Sequence, residues 1–205
     1  MSGVKQLQML EPMTLQQYMQ YLAGRRIPVM MQGELTADAP LVRRMRRLIR
    51  SRGVTLWRMP DTRYVVEHFC TQIIGAAVRL RFPLHVRENA YMTDDGEIVV
   101  SQYFLYRSGG ERILRVVLHE LAHWWLSRQE KYPVLLEMDR EYLAGCGSKA
   151  ESAVLSPVEF SATVLSSEMM MALARSVDEK ERETLIGMAR TELTKVNAAI
   201  RSLCL

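Results

Sequence analysis

One segment decides both the fold and the chemistry of this chain, and it reads Arg112-Ile-Leu-Arg-Val-Val-Leu-His-Glu-Leu-Ala-His-Trp-Trp-Leu126. Its apolar residues recur on almost every side, which is typical of a helix buried in a protein core. The preceding tetrapeptide, Ser108-Gly-Gly-Glu111, indicates where this helix begins. Inside the helix lies the pattern His-Glu-x-x-His, formed by His119, Glu120 and His123. We therefore expect a buried helix that carries two histidines and a glutamate.

The spacing of these three residues predicts a metal site. Residues i and i+4 lie on one face of a helix, so the imidazoles of His119 and His123 can ligate one ion. Glu120 lies one residue round from His119, where it can reach a metal-coordinated water without binding the metal. Burying these groups would be costly if they had nothing to bind. The alternative is a chance spacing of two core histidines. Three further residues of metal-binding type are not expected to ligate the metal: His68, Cys70 and His85.

The composition predicts one domain with no membrane span. The chain has 205 residues, of which 48% are hydrophobic, and its net charge of +4 is a mild excess rather than a nucleic-acid signature. Residues 1–8 lack the apolar core of a secretory signal, and no run approaches the roughly 20 apolar residues of a membrane helix. The three cysteines (Cys70, Cys146 and Cys204) are odd in number and widely spaced, which favours reduced thiols. We expect a cytoplasmic protein.

The remaining pattern predicts a mostly helical α+β domain. Helices are expected at 14–24, 38–52, 61–78 (capped by Asp61), 156–175 and 179–205. Strands are expected at 80–92 and 97–104, joined by the turn Thr93-Asp-Asp-Gly96 into a small antiparallel sheet beside the metal helix, with a further short strand at 54–57. Residues 27–39 read as loop or extended chain, and 131–155 as irregular or partly helical. The single domain, 1–205, divides into an N-terminal helical segment (1–60), a core (61–176) and a C-terminal helix (177–205).

The helix at 38–52 carries an arginine cluster, which comprises Arg43, Arg44, Arg46, Arg47 and Arg50. The apolar residues of this helix lie on the other side: Leu41, Met45, Leu48 and Ile49. We favour the interpretation that the cluster is the solvated face of an amphipathic helix. It could also dock an acidic partner or a nucleic-acid backbone. No aromatic residues for base stacking are interleaved with the arginines, which argues against nucleic acid.

A catalytic zinc ion normally takes three protein ligands and leaves one position for water. No histidine follows His123, so the third ligand must come from other residue types, and the candidates are Glu137, Asp139, Glu141, Cys146, Glu151, Glu159 and Glu168. The stretch Ser156-Pro-Val-Glu159 is typical of a helix start, which holds a carboxylate in a fixed direction. We therefore favour Glu159, with the small Ala162 one turn on to permit close packing, and Glu151 as the second candidate. Alternatively, Glu159 only caps its own helix through the amide of Ser156.

Three stretches in this order resemble a known family: Glu97-Ile-Val-Val-Ser101, Val117-Leu-His-Glu-Leu-Ala-His123 and Glu159-Phe-Ser-Ala162-Thr-Val-Leu165-Ser166. They resemble the compact gluzincins (minigluzincins) and are most similar to the ImmA/IrrE-like metallopeptidases, over about Leu80 to Met171. In that family a strand precedes the metal helix, and a second helix bears a glutamate followed by alanine at the third place and an apolar residue at the sixth. Ala162 and Leu165 match these places. The family's usual acidic residue two positions after the glutamate is Ser161 here.

The resemblance implies a zincin-like core and a zinc-dependent metallopeptidase. Zn2+ on His119, His123 and Glu159 would activate a water, and Glu120 would accept its proton and deliver it to the leaving amine. The edge of the hairpin would pair with an extended peptide. The family implies an intracellular regulatory protein, such as a repressor, as substrate. Trp124 and Trp125 are expected in the core, and Tyr142 is a positional guess for the group that stabilises the oxyanion, against the simpler reading of a packed surface tyrosine.

Two other functions fit the same residues. A non-peptidase metalloenzyme is one, because the same ligands can hold iron and do not by themselves distinguish iron from zinc. A regulatory binding module that retains the fold is the other, with the arginine cluster as its contact surface. The residues indicate no particular oligomeric state.

Overall fold

The computed structural model describes residues 39–51, 58–69, 77–129, 132–146, 155–175 and 177–203. Within these ranges the order of elements is α1 (Ala39–Arg50), α2 (Arg58–Phe69), β1 (Arg79–Arg81), β2 (Ala90–Met92), β3 (Glu97–Val100), α3 (Gln102–Arg107), α4 (Gly110–Leu126), α5 (Tyr132–Cys146), α6 (Pro157–Ala174) and α7 (Glu179–Leu203). A mostly helical chain with a small sheet confirms the α+β prediction. The predicted helix 14–24, the predicted loop 27–39 up to residue 38 and the predicted strand 54–57 lie outside the described residues, as do Glu151 and Cys70.

The sheet is mixed, so the prediction of a purely antiparallel sheet is wrong. Its order is β1-β3-β2, in which β2 pairs antiparallel and β1 pairs parallel with the central strand β3. The predicted strand 80–92 is two strands of three residues each. Because β1 and β2 lie on opposite sides of β3, the chain between them must cross from one edge of the sheet to the other, which no continuous strand can do.

The predicted hairpin turn between β2 and β3 is confirmed. The amide of Gly96 donates to the carbonyl of Thr93 at 2.8 Å, and Gly96 has a φ of +72°, which favours glycine. Strand β3 has a fully buried stretch over Ile98–Val100, as predicted. It ends earlier than predicted because Ser101 caps the short helix α3, with its Oγ accepting from the amide of Phe104 at 3.4 Å.

Helix α2 is described from Arg58, three residues before the predicted cap Asp61. Pro60 is tolerated there because the first turn of a helix has no intrahelical acceptor for its amides. Asp61 therefore lies inside the first turn, where its carboxylate is 1% exposed and binds arginines of α1. The predicted helix end at Val78 is wrong, because residues 77 and 78 lie outside any helix.

Helix α1 is confirmed, but its arginine cluster is not a simple solvated face. Four of the arginines bind two carboxylates on other helices: Arg44 and Arg47 bind Asp61 of α2, and Arg46 and Arg50 bind Glu181 of α7. The Glu181 carboxylate is as buried as that of Asp61, at 2% exposed. The guanidinium groups stay partly exposed, so each buried anion is neutralised from its solvent side. The cluster thus joins α1 to both α2 and α7.

Helix α4 is the predicted metal helix, and it packs against α6, α1, α2 and the strands β2 and β3. Its buried residues include Ile113, Leu114, Val117, Leu118, Leu121, Ala122, Trp124, Trp125 and Leu126, which confirms that both tryptophans belong to the core. At its first residue, a Cβ on Gly110 would lie 1.6 Å from the carbonyl oxygen of Leu48. Only glycine permits this close crossing of α4 and α1.

The last two helices follow the predicted pattern at their starts. Ser156 caps α6, because its Oγ accepts from the amide of Glu159 at 3.4 Å, and Pro157 is the first helical residue. The long α7 begins at Glu179 after the predicted break. Residues 132–146 of the region predicted as irregular or partly helical form α5, a helix of 15 residues. None of the helices described has both the length and the apolar character needed to cross a bilayer.

Candidate metal centre

Two packed helices bring three donor side chains together. His119 and His123 project from α4, and Glu159 projects from the first turn of α6, which packs against α4. The cap at Ser156 fixes where α6 begins, and the fully buried Ala162 lies one turn beyond Glu159. We refer to His119, His123 and Glu159 as the ligand trio.

The distances within the ligand trio match those of a metal site. The Nε2 atoms of the two histidines are 3.0 Å apart. One carboxylate oxygen of Glu159 lies 3.2 Å from His119 Nε2, and the other lies 3.3 Å from His123 Nε2. Ligand atoms bound to tetrahedral zinc at about 2.1 Å are about 3.4 Å from one another. Two imidazoles and a carboxylate are also a donor set that suits zinc or iron. The residues present therefore fit such an ion.

The alternative role of Glu159, as a capping residue only, does not account for its carboxylate. The backbone amide of Glu159 does bind the Ser156 hydroxyl. Its side chain instead points to the histidines, with one oxygen on each ring. Glu159 thus takes part in the helix start through its backbone and in the ligand trio through its side chain.

Charge and hydrogen bonding within the trio shift the pKa values of Glu159 and His119 in opposite directions. Burial opposes the ionisation of Glu159, but its hydrogen bonds to His119 and His123 hold its pKa well below the usual range. Burial likewise opposes protonation of His119, but the hydrogen bond and charge of Glu159 raise its pKa overall. The side chains are 24% exposed for His119, 12% for His123 and 45% for Glu159, so the site is open to solutes.

Glu120 lies beside the trio without belonging to it. Burial raises its pKa, the two histidines lower it, and the charges of Glu159 and Glu88 raise it further, with a net increase. Its carboxylate therefore senses every member of the trio. A carboxyl group with a raised pKa next to a metal site is suited to accepting and returning a proton.

The sequence missed two neighbours of the site. Burial raises the pKa of Tyr132, at the start of α5, and the charges of Asp139, Asp94 and Glu159 raise it further. Tyr142, the positional guess for the oxyanion group, is instead buried in the hydrophobic core and is not a surface tyrosine. The charge of Glu192, on α7, helps to raise the pKa of His119. The positions of Tyr132 and Glu192 near the trio depend on how helices that are distant in sequence pack together. The sequence carries no local signal for that packing.

The other candidate ligands do not join the trio. Among the described residues, only His119, His123 and Glu159 form a group of three side chains that could hold a metal. Asp139 accepts the amide of Val158 at 3.0 Å and thus supports the start of α6. Glu137 and Glu141 are exposed on α5, and Glu168 is partly buried on α6. The side chains of Glu151 and Cys146 lie outside what the structure describes.

The other histidines pack against aromatic rings, in keeping with the prediction that neither is a ligand. His68 stacks on Tyr64 with 5.6 Å between ring centroids, and His85 lies edge-on to Tyr103 at 5.7 Å.

The function of the trio has to be inferred from its own geometry, because comparisons with protein-family models, curated proteins and solved structures gave no match.

Proposed function

We propose that this protein is a zinc-dependent metallopeptidase with a zincin-like fold, in which the ligand trio holds Zn2+ and Glu120 acts as general base. The observation that carries the proposal is the convergence of two imidazole nitrogens and a carboxylate at separations of 3.0 to 3.3 Å. Three protein ligands leave a fourth position for water or substrate, as catalytic zinc sites do.

The chemistry is hydrolysis of a peptide bond. When bound, zinc polarises a carbonyl and makes water acidic enough to react at neutral pH. Glu120 takes the proton of the attacking water and returns it to the leaving amine. Its raised pKa favours both steps, because it makes the carboxylate a stronger base and keeps the transferred proton available.

Strand β2 offers a place for an extended peptide. It is an edge of the described sheet and packs beside α4, which carries the histidines. Edge strands bind extended peptides through their backbone amides and carbonyls. A substrate bound along Ala90–Met92 would therefore run next to the ligand trio.

The experiment compares wild type with Glu120→Gln, both purified without added metal. Metal content is measured by mass spectrometry, and cleavage is measured on a proteome-derived peptide library. We expect about one zinc per chain in both proteins and a loss of cleavage of at least about 100-fold in the variant, because a general base contributes that much.

Glu111→Gln is the matched control, since Glu111 is an exposed acid on the same helix. It should cleave like wild type. Equal cleavage by Glu120→Gln would overturn the role of Glu120. Stoichiometric iron in place of zinc, with no cleavage by wild type, would overturn the peptidase proposal in favour of a different metalloenzyme.

A further inference from the structure

Arg115 places a permanent positive charge next to the proposed zinc site. It lies one helical turn before His119 on α4, so the two side chains share a face of the helix. Side chains on helices lean toward the preceding turn, which brings the imidazole of His119 over the turn that carries Arg115. A guanidinium keeps its charge at any physiological pH. Left unpaired, this charge would oppose a divalent cation on His119.

Glu192 of α7 supplies the compensating negative charge. One oxygen of its carboxylate lies 3.2 Å from Nη1 of Arg115 and 2.8 Å from Nζ of Lys195. The Glu192 side chain is only 14% exposed, so solvent screens its charge weakly.

Solvent can reach Arg115 through a neighbouring cavity. Together with Gly109, Arg112 and Thr191, Arg115 lines a cavity of about 620 Å³ between α1, α4 and α7. Mobile anions in this cavity could screen Arg115 if Glu192 were neutral. They would do so less well than a fixed carboxylate, because their effect depends on salt concentration.

We propose that Glu192 is a positioning residue of the metal centre, which acts by neutralising Arg115 and thereby favours a divalent cation on the ligand trio. The inference rests on the proposed zinc site. It makes the C-terminal helix α7 part of that site, although none of the described side chains of α7 belongs to the ligand trio. Residues around a site that do not touch the metal commonly change metal affinity by 10- to 100-fold.

The test measures zinc affinity of the full chain by competition with a fluorescent chelator at low ionic strength. The variants are Glu192→Gln, Arg115→Met and the double variant, with Glu183→Gln as control because Glu183 is an exposed acid on the same helix. We expect Glu192→Gln to weaken zinc binding about tenfold and added sodium chloride to recover part of the loss. The double variant should return to within about twofold of wild type, since the cation that needed neutralising is gone. Glu183→Gln should not change affinity.

Each outcome separates this inference from the zinc site itself. Wild-type affinity in Glu192→Gln, or a double variant as weak as Glu192→Gln, would overturn the role of Glu192 while the zinc site stands. Absence of zinc binding in wild type would overturn the site and the inference together. Arg115→Met covers the case in which Glu192→Gln fails to fold, because it should bind zinc at least as tightly as wild type, and weaker binding would contradict the proposal. The absorption spectrum of bound Co2+ should be the same in all variants, since the ligands are unchanged.

Discussion

The ligand trio and the arginine cluster both bring ionisable side chains from separate helices into partly buried contact, but their charges are balanced differently. In the arginine cluster, each buried carboxylate meets two guanidinium groups, so its charge is balanced without any other molecule. In the trio, every group is a lone-pair donor, and the three meet at separations of 3.0 to 3.3 Å. Only a proton or a metal ion can satisfy them together.

This difference separates a structural contact from a binding site. A buried ion pair costs desolvation but is self-sufficient, and losing one partner leaves a buried charge. A convergence of donors gains most of its stability from a ligand, whose binding free energy is added to folding. We therefore expect added metal to raise the free energy of unfolding through the trio. We expect mutation of the arginine cluster to lower the free energy of unfolding without changing metal affinity.

The largest effect should come from removing both histidines. We expect His119→Ala/His123→Ala to lower zinc affinity at least about a thousandfold, because two of three protein ligands are lost. Zinc should then no longer raise the free energy of unfolding, as measured by denaturant titration with and without the metal. His85→Ala is the control, since His85 is exposed and lies outside the trio. Retention of one tightly bound zinc by the double variant would place the metal elsewhere.

Breaking the arginine cluster should cost stability and leave the metal alone. We expect Asp61→Asn to reduce the free energy of unfolding by about 2 kcal/mol, because the buried carboxylate that accepts hydrogen bonds from two arginines is lost. Asp178→Asn, which removes an exposed partner of Arg46, should cost less than about 1 kcal/mol. Denaturant titration measures both. A stability loss of similar size in the two variants would mean that burial of Asp61 is unimportant.

A smaller effect, that of pH on the metal-free protein, should sharpen the comparison. The raised pKa of His119 stabilises the fold below the ordinary histidine pKa of 6.5, and this contribution is lost as pH rises through the pKa of the folded state. The lowered pKa of Glu159 stabilises the fold above the ordinary value of 4.5, and this contribution is lost as pH falls through the folded pKa. The pair should thus contribute most between pH 4.5 and 6.5.

The measurement is the difference in the free energy of unfolding between wild type and Glu159→Gln, with chelator present. This difference should be larger at about pH 5.5 than at about pH 8, because the stabilising contribution of His119 and Glu159 is present at the lower pH and is lost as pH rises. Arg47, whose pKa is raised by its hydrogen bond to Asp61, stays charged across the whole range. A difference that does not change with pH would show that His119 and Glu159 do not share a proton.

The features that the sequence predicts well are those encoded within one turn or one helix. The spacing of His119 and His123 places them on one face whatever the rest of the chain does, and the cap at Ser156 places Glu159 at a helix start. The turn ending at Gly96 is equally local. How α4 and α6 pack against each other is not encoded locally. The small Ala162 is the one residue that indicates close packing of these two helices.

The features that sequence reasoning missed depend on residues far apart in the chain. Strand β1 pairs in parallel with β3 across the sheet from β2, and no alternation of apolar residues within 80–92 encodes that choice. The partners of the arginine cluster lie on two other helices, and Glu181 is 131 residues beyond Arg50. Glu192 approaches His119 only because α7 returns along the molecule. These contacts are set by helix packing, which the local pattern does not specify.

The contact between Gly110 and Leu48 has a consequence for the geometry of the ligand trio. Backbone meets backbone there, so the hydrogen of one glycine fixes how deeply α4 sits against α1. His119 follows nine residues later, about 13 Å along a rigid rod of 1.5 Å per residue. A methyl group at position 110 would push the start of α4 away from α1 and shift the imidazole of His119 away from Glu159. The separation between His119 and Glu159 thus depends on a residue that has no side chain of its own.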